Sequence, residues 1–102
     1  MNDTINKAQK FIDLVRNSGI FVSNASVFGS WARGKASEDS DIDICVVSSD
    51  FGKDYIEEMV RLREIALKVD SRIEPIPFNP QDLNDPYGSL ASEIRKNSIC
   101  LK

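Results

Sequence analysis

The chain has 102 residues, with 13 Lys and Arg against 16 Asp and Glu, so its net charge is −3. This length is typical of one domain, and we expect residues 1–102 to form a single domain. The acidic balance, with no basic run longer than Arg95-Lys96, argues against a nucleic-acid-binding surface. The absence of histidine excludes Ser/His and Cys/His catalytic pairs and leaves carboxylates as the candidate catalytic groups.

The N-terminal segment MNDTINKAQK is polar where a signal peptide would need an apolar stretch. The apolar runs of the chain are far shorter than the ~20 residues that a membrane span requires. We therefore expect a cytoplasmic protein that does not contact a membrane. Cys45 and Cys100 lack CxxC spacing, which favours free thiols over a metal site.

Apolar residues at helical spacing predict a first helix over 4–16, with Asp3 as its N-cap. The β-branched and aromatic segment 20–28 predicts a buried strand that ends at Gly29. A second strand is predicted over 41–47, where charged and apolar residues alternate at the start and apolar residues follow.

Helical periodicity returns over 53–69, and 73–76 predicts a short strand. Pro75 favours an edge position or a strand end for this segment. Three segments complete the prediction: a surface connection over 75–86, a helix over 87–97 and an apolar tail over 99–101. The alternation of helices and strands predicts an α/β (α+β) fold, in which helices pack on a small sheet.

Asp41 and Asp43 stand at the start of the second predicted strand. Because side chains alternate along a strand, both carboxylates would project from one face and could reach one ion. Like charges this close are costly unless a cation neutralises them, and Mg²⁺ prefers such oxygen ligands. The two aspartates therefore predict a magnesium site, with a solvated loop or cap residue as the alternative for Asp41.

Gly29 and Ser30 follow the first predicted strand. Gly29 permits a tight exit, and Ser30 is expected to begin a short helix that continues to Arg33. Free N–H groups at a helix start bind phosphate, and the Ser30 hydroxyl adds a donor. Arg33 would share the helical face of Ser30 and offer its planar guanidinium to phosphate oxygens. Trp31 could stack on a base, but packing against the first helix is the favoured prediction.

The stretches 27–34 (VFGSWARG) and 40–47 (SDIDICVV) resemble the signature of the minimal nucleotidyltransferases of the polymerase β superfamily. The resemblance covers nearly the whole chain and implies a nucleotidyltransferase fold in one minimal domain over 1–102. It also implies that Ser30 and neighbouring N–H groups hold the triphosphate of a nucleoside triphosphate, and that Asp41 and Asp43 bind two Mg²⁺ ions. The family's third carboxylate matches Glu74, although many relatives have aspartate there, and a charge at the sheet edge is the alternative for Glu74.

The resemblance further implies magnesium-assisted transfer of a nucleotide to an acceptor hydroxyl. Minimal members of the family commonly act beside a small helical protein, the HEPN domain, in toxin–antitoxin pairs. We therefore expect an antitoxin that transfers AMP from ATP to a tyrosine of a HEPN-type partner. The alternative is a non-catalytic nucleotide-binding module that neutralises its partner by contact. Nucleic acid is a disfavoured acceptor, and the preferred base and a homo-oligomeric state stay open.

Overall fold

The computed structural model describes residues 2–37 and 39–102, apart from the side chain of Asn2. Its elements follow in chain order: α1 (Asn2–Asn17), β1 (Asn24–Phe28), β2 (Ile42–Val47), α2 (Tyr55–Leu67), β3 (Ile73–Phe78), α3 (Pro80–Leu83), α4 (Ser89–Lys96) and β4 (Ile99–Cys100). This order confirms the predicted α/β class, because helices alternate with the strands of one sheet.

The sheet is mixed, and its strands lie in the order β3-β2-β1-β4. β1 is antiparallel to β2 and β4, whereas β2 and β3 are parallel. The register places Asp43 of β2 opposite both Phe28 of β1 and Glu74 of β3. The end of β1 therefore meets the starts of β2 and β3 at one end of the sheet.

The two faces of the sheet are covered by two separate cores. The larger core joins α1, α2 and the even-numbered residues of β2, including Phe11, Ile12, Ile42, Ile44, Val46 and Leu62. The smaller core joins β1, α4 and odd-numbered residues of β2: Phe28, Cys45, Val47 and Ile94. Because side chains alternate along a strand, Asp43 projects from the face of the smaller core.

β3 forms an open edge of the sheet, as its proline content predicted. The carbonyls of Arg72 and Phe78 accept hydrogen bonds of 2.8 and 2.9 Å from the β2 side. Backbone groups alternate in direction along a strand, so Pro75 and Pro77 turn their nitrogens away from β2. No hydrogen bond to β2 is lost at either proline, and β3 can therefore continue to Phe78, beyond its predicted end at 76.

Two predictions near the N-terminus were wrong. α1 begins at Asn2, so Asp3 lies in its first turn and is not the N-cap. β1 begins at Asn24 rather than at 20, although Ile20 and Val22 are buried. Both side chains pack into the larger core. Their apolar character therefore reflects burial before the strand begins, not pairing in the sheet.

The C-terminal half also departs from the prediction. The connection expected over 75–86 contains α3, which begins at an Asn79 cap: Asn79 Oδ1 accepts a hydrogen bond of 2.9 Å from Gln81 N–H. The last helix is shorter than predicted and occupies Ser89–Lys96. Across residues 2–37 and 39–102, no helix combines the length and apolar character needed to cross a membrane.

Asp70 ties α1 to the turn between α2 and β3. Its Oδ2 lies 2.9 Å from both Lys7 Nζ and Arg72 Nη2, and its Oδ1 accepts from the backbone N–H of Arg72 at 2.8 Å. The side chain of Asp70 is 13% exposed. The hydrogen bonds from the Arg72 side chain are the main cause that holds the pKa of Asp70 well below its usual range, and those from the Arg72 backbone and Lys7 add to it.

We expect Asp70→Asn to lower the free energy of unfolding at pH 7 by about 1–3 kcal/mol, because charged hydrogen bonds are lost. The depressed pKa in the folded state makes this stabilisation fully present above the unfolded pKa of about 4 and progressively lost below it. Urea unfolding between pH 7 and pH 3 measures the difference between wild type and variant, which should shrink below about pH 4. A difference that stays constant to pH 3 would contradict the assignment. Asp13→Asn, at an exposed position of α1, is the control.

Candidate active site

Gly29 and Asp43 are in close contact at the end of the sheet where β1 ends. Gly29 has a φ of +72°, in the left-handed region that favours glycine. A Cβ atom at this position would lie 2.3 Å from Asp43 Oδ2, well inside any allowed contact. Gly29 is therefore required both by the turn and by the approach of the Asp43 carboxylate.

Residues 29–35 form a compact turn rather than the short helix predicted to begin at Ser30. Three backbone hydrogen bonds close it: Arg33 N–H to Gly29 O at 3.1 Å, Gly34 N–H to Trp31 O at 3.3 Å and Lys35 N–H to Ser30 O at 2.9 Å. These bonds span four, three and five residues, so no repeating helical ladder forms. The helix prediction was wrong because the chain turns away at Gly34, which has a positive φ, before a second helical turn can form.

The turn leaves three consecutive N–H groups without a protein acceptor. Within the described residues, the N–H groups of Ser30, Trp31 and Ala32 donate to no backbone or side-chain oxygen, and neither does the Ser30 hydroxyl. Successive unused N–H groups in a turn form a concave donor site for anions. A turn thus supplies unused donors in place of the predicted helix start, and their binding of phosphate stays a prediction.

Three carboxylates come from the strands that meet at this end of the sheet. Asp41 is exposed and directly precedes β2, whereas Asp43 and Glu74 are half-buried partners on adjacent strands. Burial raises the pKa of Asp43, and the negative charges of Asp41 and Glu74 raise it further. A divalent cation would offset the repulsion between these carboxylates, and Mg²⁺ prefers carboxylate oxygens as ligands. Asp41 and Asp43 therefore fit Mg²⁺.

The carboxylate of Glu74 is engaged by an arginine of α2. Arg63 Nη1 lies 2.5 Å from Glu74 Oε2 and 3.4 Å from the carbonyl oxygen of Ile73, so Arg63 reaches around the open edge of the sheet. The hydrogen bond with Glu74 is the main cause that raises the pKa of Arg63. In the described part of the chain, no three His, Cys, Asp or Glu side chains are arranged to hold one metal ion. The strands therefore bring Glu74 beside Asp43, but its carboxylate is bound to Arg63.

Arg33 lies near Asp43 and pairs with Glu93 of α4 through Arg33 Nη1 and Glu93 Oε1. The positive charge of Arg33 lowers the pKa of Asp43, and the negative charge of Glu93 raises it. The predicted helical face shared by Arg33 and Ser30 does not exist, since no helix forms there. Sequence reasoning missed Arg63 and Glu93, because both belong to helices whose place beside the motif is set by tertiary packing alone.

Trp31 packs against the larger core, in line with the favoured prediction that it is a packing residue. Its indole Nε1 is enclosed and has no hydrogen-bond acceptor among the described residues. The indole ring fixes one side of the turn, so the unused N–H groups of residues 30–32 are held on a segment anchored in the core.

Comparison with known sequences finds the family described as "Nucleotidyltransferase domain", which matches residues 8–95. A protein of Methanocaldococcus jannaschii named "Putative protein adenylyltransferase MJ1305" is 40% identical over 62 residues. That alignment covers 57% of this chain and 42% of the relative. The chain thus spans less than half the length of this relative.

Comparison with solved structures finds the same fold. A chain described as a putative nucleotidyltransferase from Sulfolobus solfataricus gives a TM-score of 0.70 at 20% identity, covering 96% of this chain and 78% of that one. A toxin–antitoxin structure with AMP-PNP gives 0.60 at 23% identity, covering 96% and 72%. A mutant of the toxin–antitoxin complex MntA-HpeT gives 0.59 at 21% identity, covering 91% and 70%.

Gly29→Ala and Gly34→Ala form a matched pair, because both glycines have a φ of +72° but only Gly29 has neighbouring atoms within 4 Å of an added Cβ. We expect Gly34→Ala to cost about 1–2 kcal/mol of stability from backbone strain alone. Gly29→Ala should cost more and should also weaken the binding of Mn²⁺, used in place of Mg²⁺, since the Asp43 carboxylate must move. Urea unfolding and electron paramagnetic resonance of Mn²⁺ measure the two effects. Equal Mn²⁺ affinity in both variants would show that Asp43 is not a metal ligand.

Proposed function

Since the chain belongs to the nucleotidyltransferase domain family, we propose that it is a Mg²⁺-dependent protein adenylyltransferase that transfers AMP from ATP to a tyrosine hydroxyl of a partner protein. The observation that carries this proposal is the meeting of an N–H-rich turn and two aspartates at one end of the sheet. The turn suits the phosphates of a nucleoside triphosphate, and the aspartates suit the metal that accompanies them.

In this mechanism the turn binds and orients the triphosphate. The N–H groups of residues 30–32 and the Ser30 hydroxyl donate to phosphate oxygens, and Arg33 adds a positive charge. A divalent cation held by Asp41 and Asp43 would supply the charge that stabilises the pyrophosphate leaving group. The protein thus contributes position and electrostatic stabilisation, and no covalent intermediate with the enzyme is needed.

Glu74 would complete the site as the proton acceptor and, once free of Arg63, as a third acidic ligand for the metal. The tyrosine oxygen attacks the α-phosphorus, and the bond between the α-phosphorus and the bridging oxygen breaks, so that pyrophosphate leaves. The hydroxyl proton passes to Glu74 and from there to water. Because Glu74 is paired with Arg63 in this structure, it must part from Arg63 before it can act.

A protein acceptor is supported by two observations. The chain is 40% identical over 62 residues to the relative named as a protein adenylyltransferase. Its net charge of −3 disfavours a nucleic-acid acceptor. Two structural neighbours are toxin–antitoxin structures, one of them with AMP-PNP. These neighbours support a toxin as the partner, and we propose, as the resemblance of the sequence implies, that it is a small helical HEPN-type protein and that this chain is its cytoplasmic antitoxin.

A second function, neutralisation of the partner by contact with a retained nucleotide site, is favoured by one observation. Glu74 lies beside Asp43 in the sheet, but its carboxylate is bound by Arg63. A site with two acidic ligands and no free third carboxylate could bind a nucleotide without turning it over. The two functions differ in whether neutralisation requires the carboxylate of Asp43.

We expect the chain and its partner toxin, incubated with Mg²⁺ and ATP labelled in the α-phosphate, to give a labelled partner. Asp43→Asn should lower the labelling by on the order of 100-fold or more, because loss of even an outer-shell partner of a metal ligand costs 10- to 100-fold. Asp13→Asn makes the same charge change at an exposed position of α1 and should label normally. The label should be removed by protease and resist nuclease.

The same variants separate the two functions in a toxicity assay. A catalytic antitoxin loses neutralisation with Asp43→Asn although the variant still folds, as circular dichroism would show. Neutralisation that survives this substitution, with no label transferred, would establish the contact mechanism instead. A nuclease-sensitive product would move the acceptor from protein to nucleic acid.

We expect Glu74→Gln to lower the transfer rate by on the order of 100-fold, because a positioned general base contributes 10²- to 10⁴-fold. Glu74→Asp should retain more activity than Glu74→Gln, since it keeps a carboxylate on a side chain that is one methylene shorter. Single-turnover labelling measures both rates, and binding of α,β-methylene ATP checks that the nucleotide site is intact. A Glu74→Gln rate equal to wild type would make Glu74 a sheet-edge charge without a catalytic role.

A further inference from the structure

The ion pair between Arg33 and Glu93 joins the turn at 29–35 to α4, which packs on the smaller-core face of the sheet. The two side chains are 41% and 32% exposed, and they are 60 positions apart in the sequence. This pair therefore depends on how α4 packs and not on any local turn.

The packing of α4 fixes where Glu93 stands. Its neighbour Ile94 is 3% exposed and belongs to the smaller core with Phe28, the last residue of β1. After α4 the chain enters β4, whose Ile99 pairs with Val27 of β1. The C-terminal half of α4 is thus held against the end of β1, where the turn begins.

Glu93 stands among groups of the same charge. It is close enough to Asp43 for its negative charge to act on that carboxylate, as do Asp41 and Glu74. It also binds the guanidinium that the proposed mechanism assigns to the phosphates of the nucleotide, and guanidinium groups bind carboxylate and phosphate oxygens in the same way.

Resting on the proposed function, we propose that Glu93 competes with the nucleotide's phosphates for Arg33, so that the Arg33–Glu93 pair must open when a triphosphate binds. Glu93 is then a positioning residue that sets nucleotide affinity through Arg33. A ligand must carry enough negative charge to displace Glu93 from Arg33, which favours a triphosphate over a monophosphate.

The test measures binding of α,β-methylene ATP, in which the bond to be broken is not cleavable, by isothermal titration calorimetry in the presence of Mg²⁺. Glu93→Gln should bind it about two- to fivefold more tightly, as expected when an exposed ion pair no longer has to be broken. Arg33→Gln should bind more weakly than wild type. The double variant should bind like Arg33→Gln, because the competition needs both partners.

Glu57→Gln is the matched control, since it removes one negative charge from an exposed position on α2, beside Gly19 and Asp50 and away from this end of the sheet. Its affinity should equal that of wild type. Glu93→Asp keeps the charge but shortens the reach to Arg33, and it should also tighten binding, though less than Glu93→Gln. Thermal unfolding of each variant checks that the fold is retained.

The inference is overturned if Glu93→Gln binds the analogue no more tightly than wild type, or if it tightens binding equally in the Arg33→Gln background. In both cases the wild type still binds the nucleotide, so the proposed function stands. Absence of nucleotide binding by the wild type and every variant would overturn the inference and the proposed function together.

Discussion

The contact between the Asp43 carboxylate and the backbone of Gly29 determines the arrangement of this end of the molecule. Ile42 and Ile44, on either side of Asp43, are fully buried in the larger core, so β2 cannot shift to relieve crowding. The carboxylate must therefore stay where it is partly desolvated and close to other acidic groups. The free energy of burying the apolar side chains of β2 thus keeps Asp43 close to other carboxylates, an arrangement that is unfavourable without a cation.

Much of the fold and the centre of the site follow from sequence pattern. The apolar periodicity predicted α1 and α2, and the alternation of helices and strands predicted the α/β class. Each of these predictions depends only on which residues must be buried. Asp41, Asp43 and Gly29 were singled out from their spacing and from their positions at strand ends; the structure places Gly29 against Asp43, and their role in a site stays a prediction. Pro75 indicated an edge strand for a reason that is local to the backbone, the missing N–H group.

The parts that sequence reasoning missed depend on long-range packing or on turn geometry. Arg63 and Glu93 carry no motif, and they reach the site because α2 and α4 pack on opposite faces of the sheet. Each pairs with a site residue, Arg63 with Glu74 and Glu93 with Arg33. The turn at 29–35 was mistaken for a helix because its hydrogen bonds span three, four and five residues, which no periodicity encodes.

The prolines of β3 have a consequence for association with other chains. Along the outer edge of this strand, Pro75 and Pro77 have no N–H group, and the N–H of Ile73 is already donated to Asp70 O at 3.2 Å. An incoming strand would find carbonyl groups at these positions but no donors with which to pair. This edge therefore resists β-sheet aggregation and recruitment of a partner by strand addition, so a protein bound here must be held by side-chain contacts.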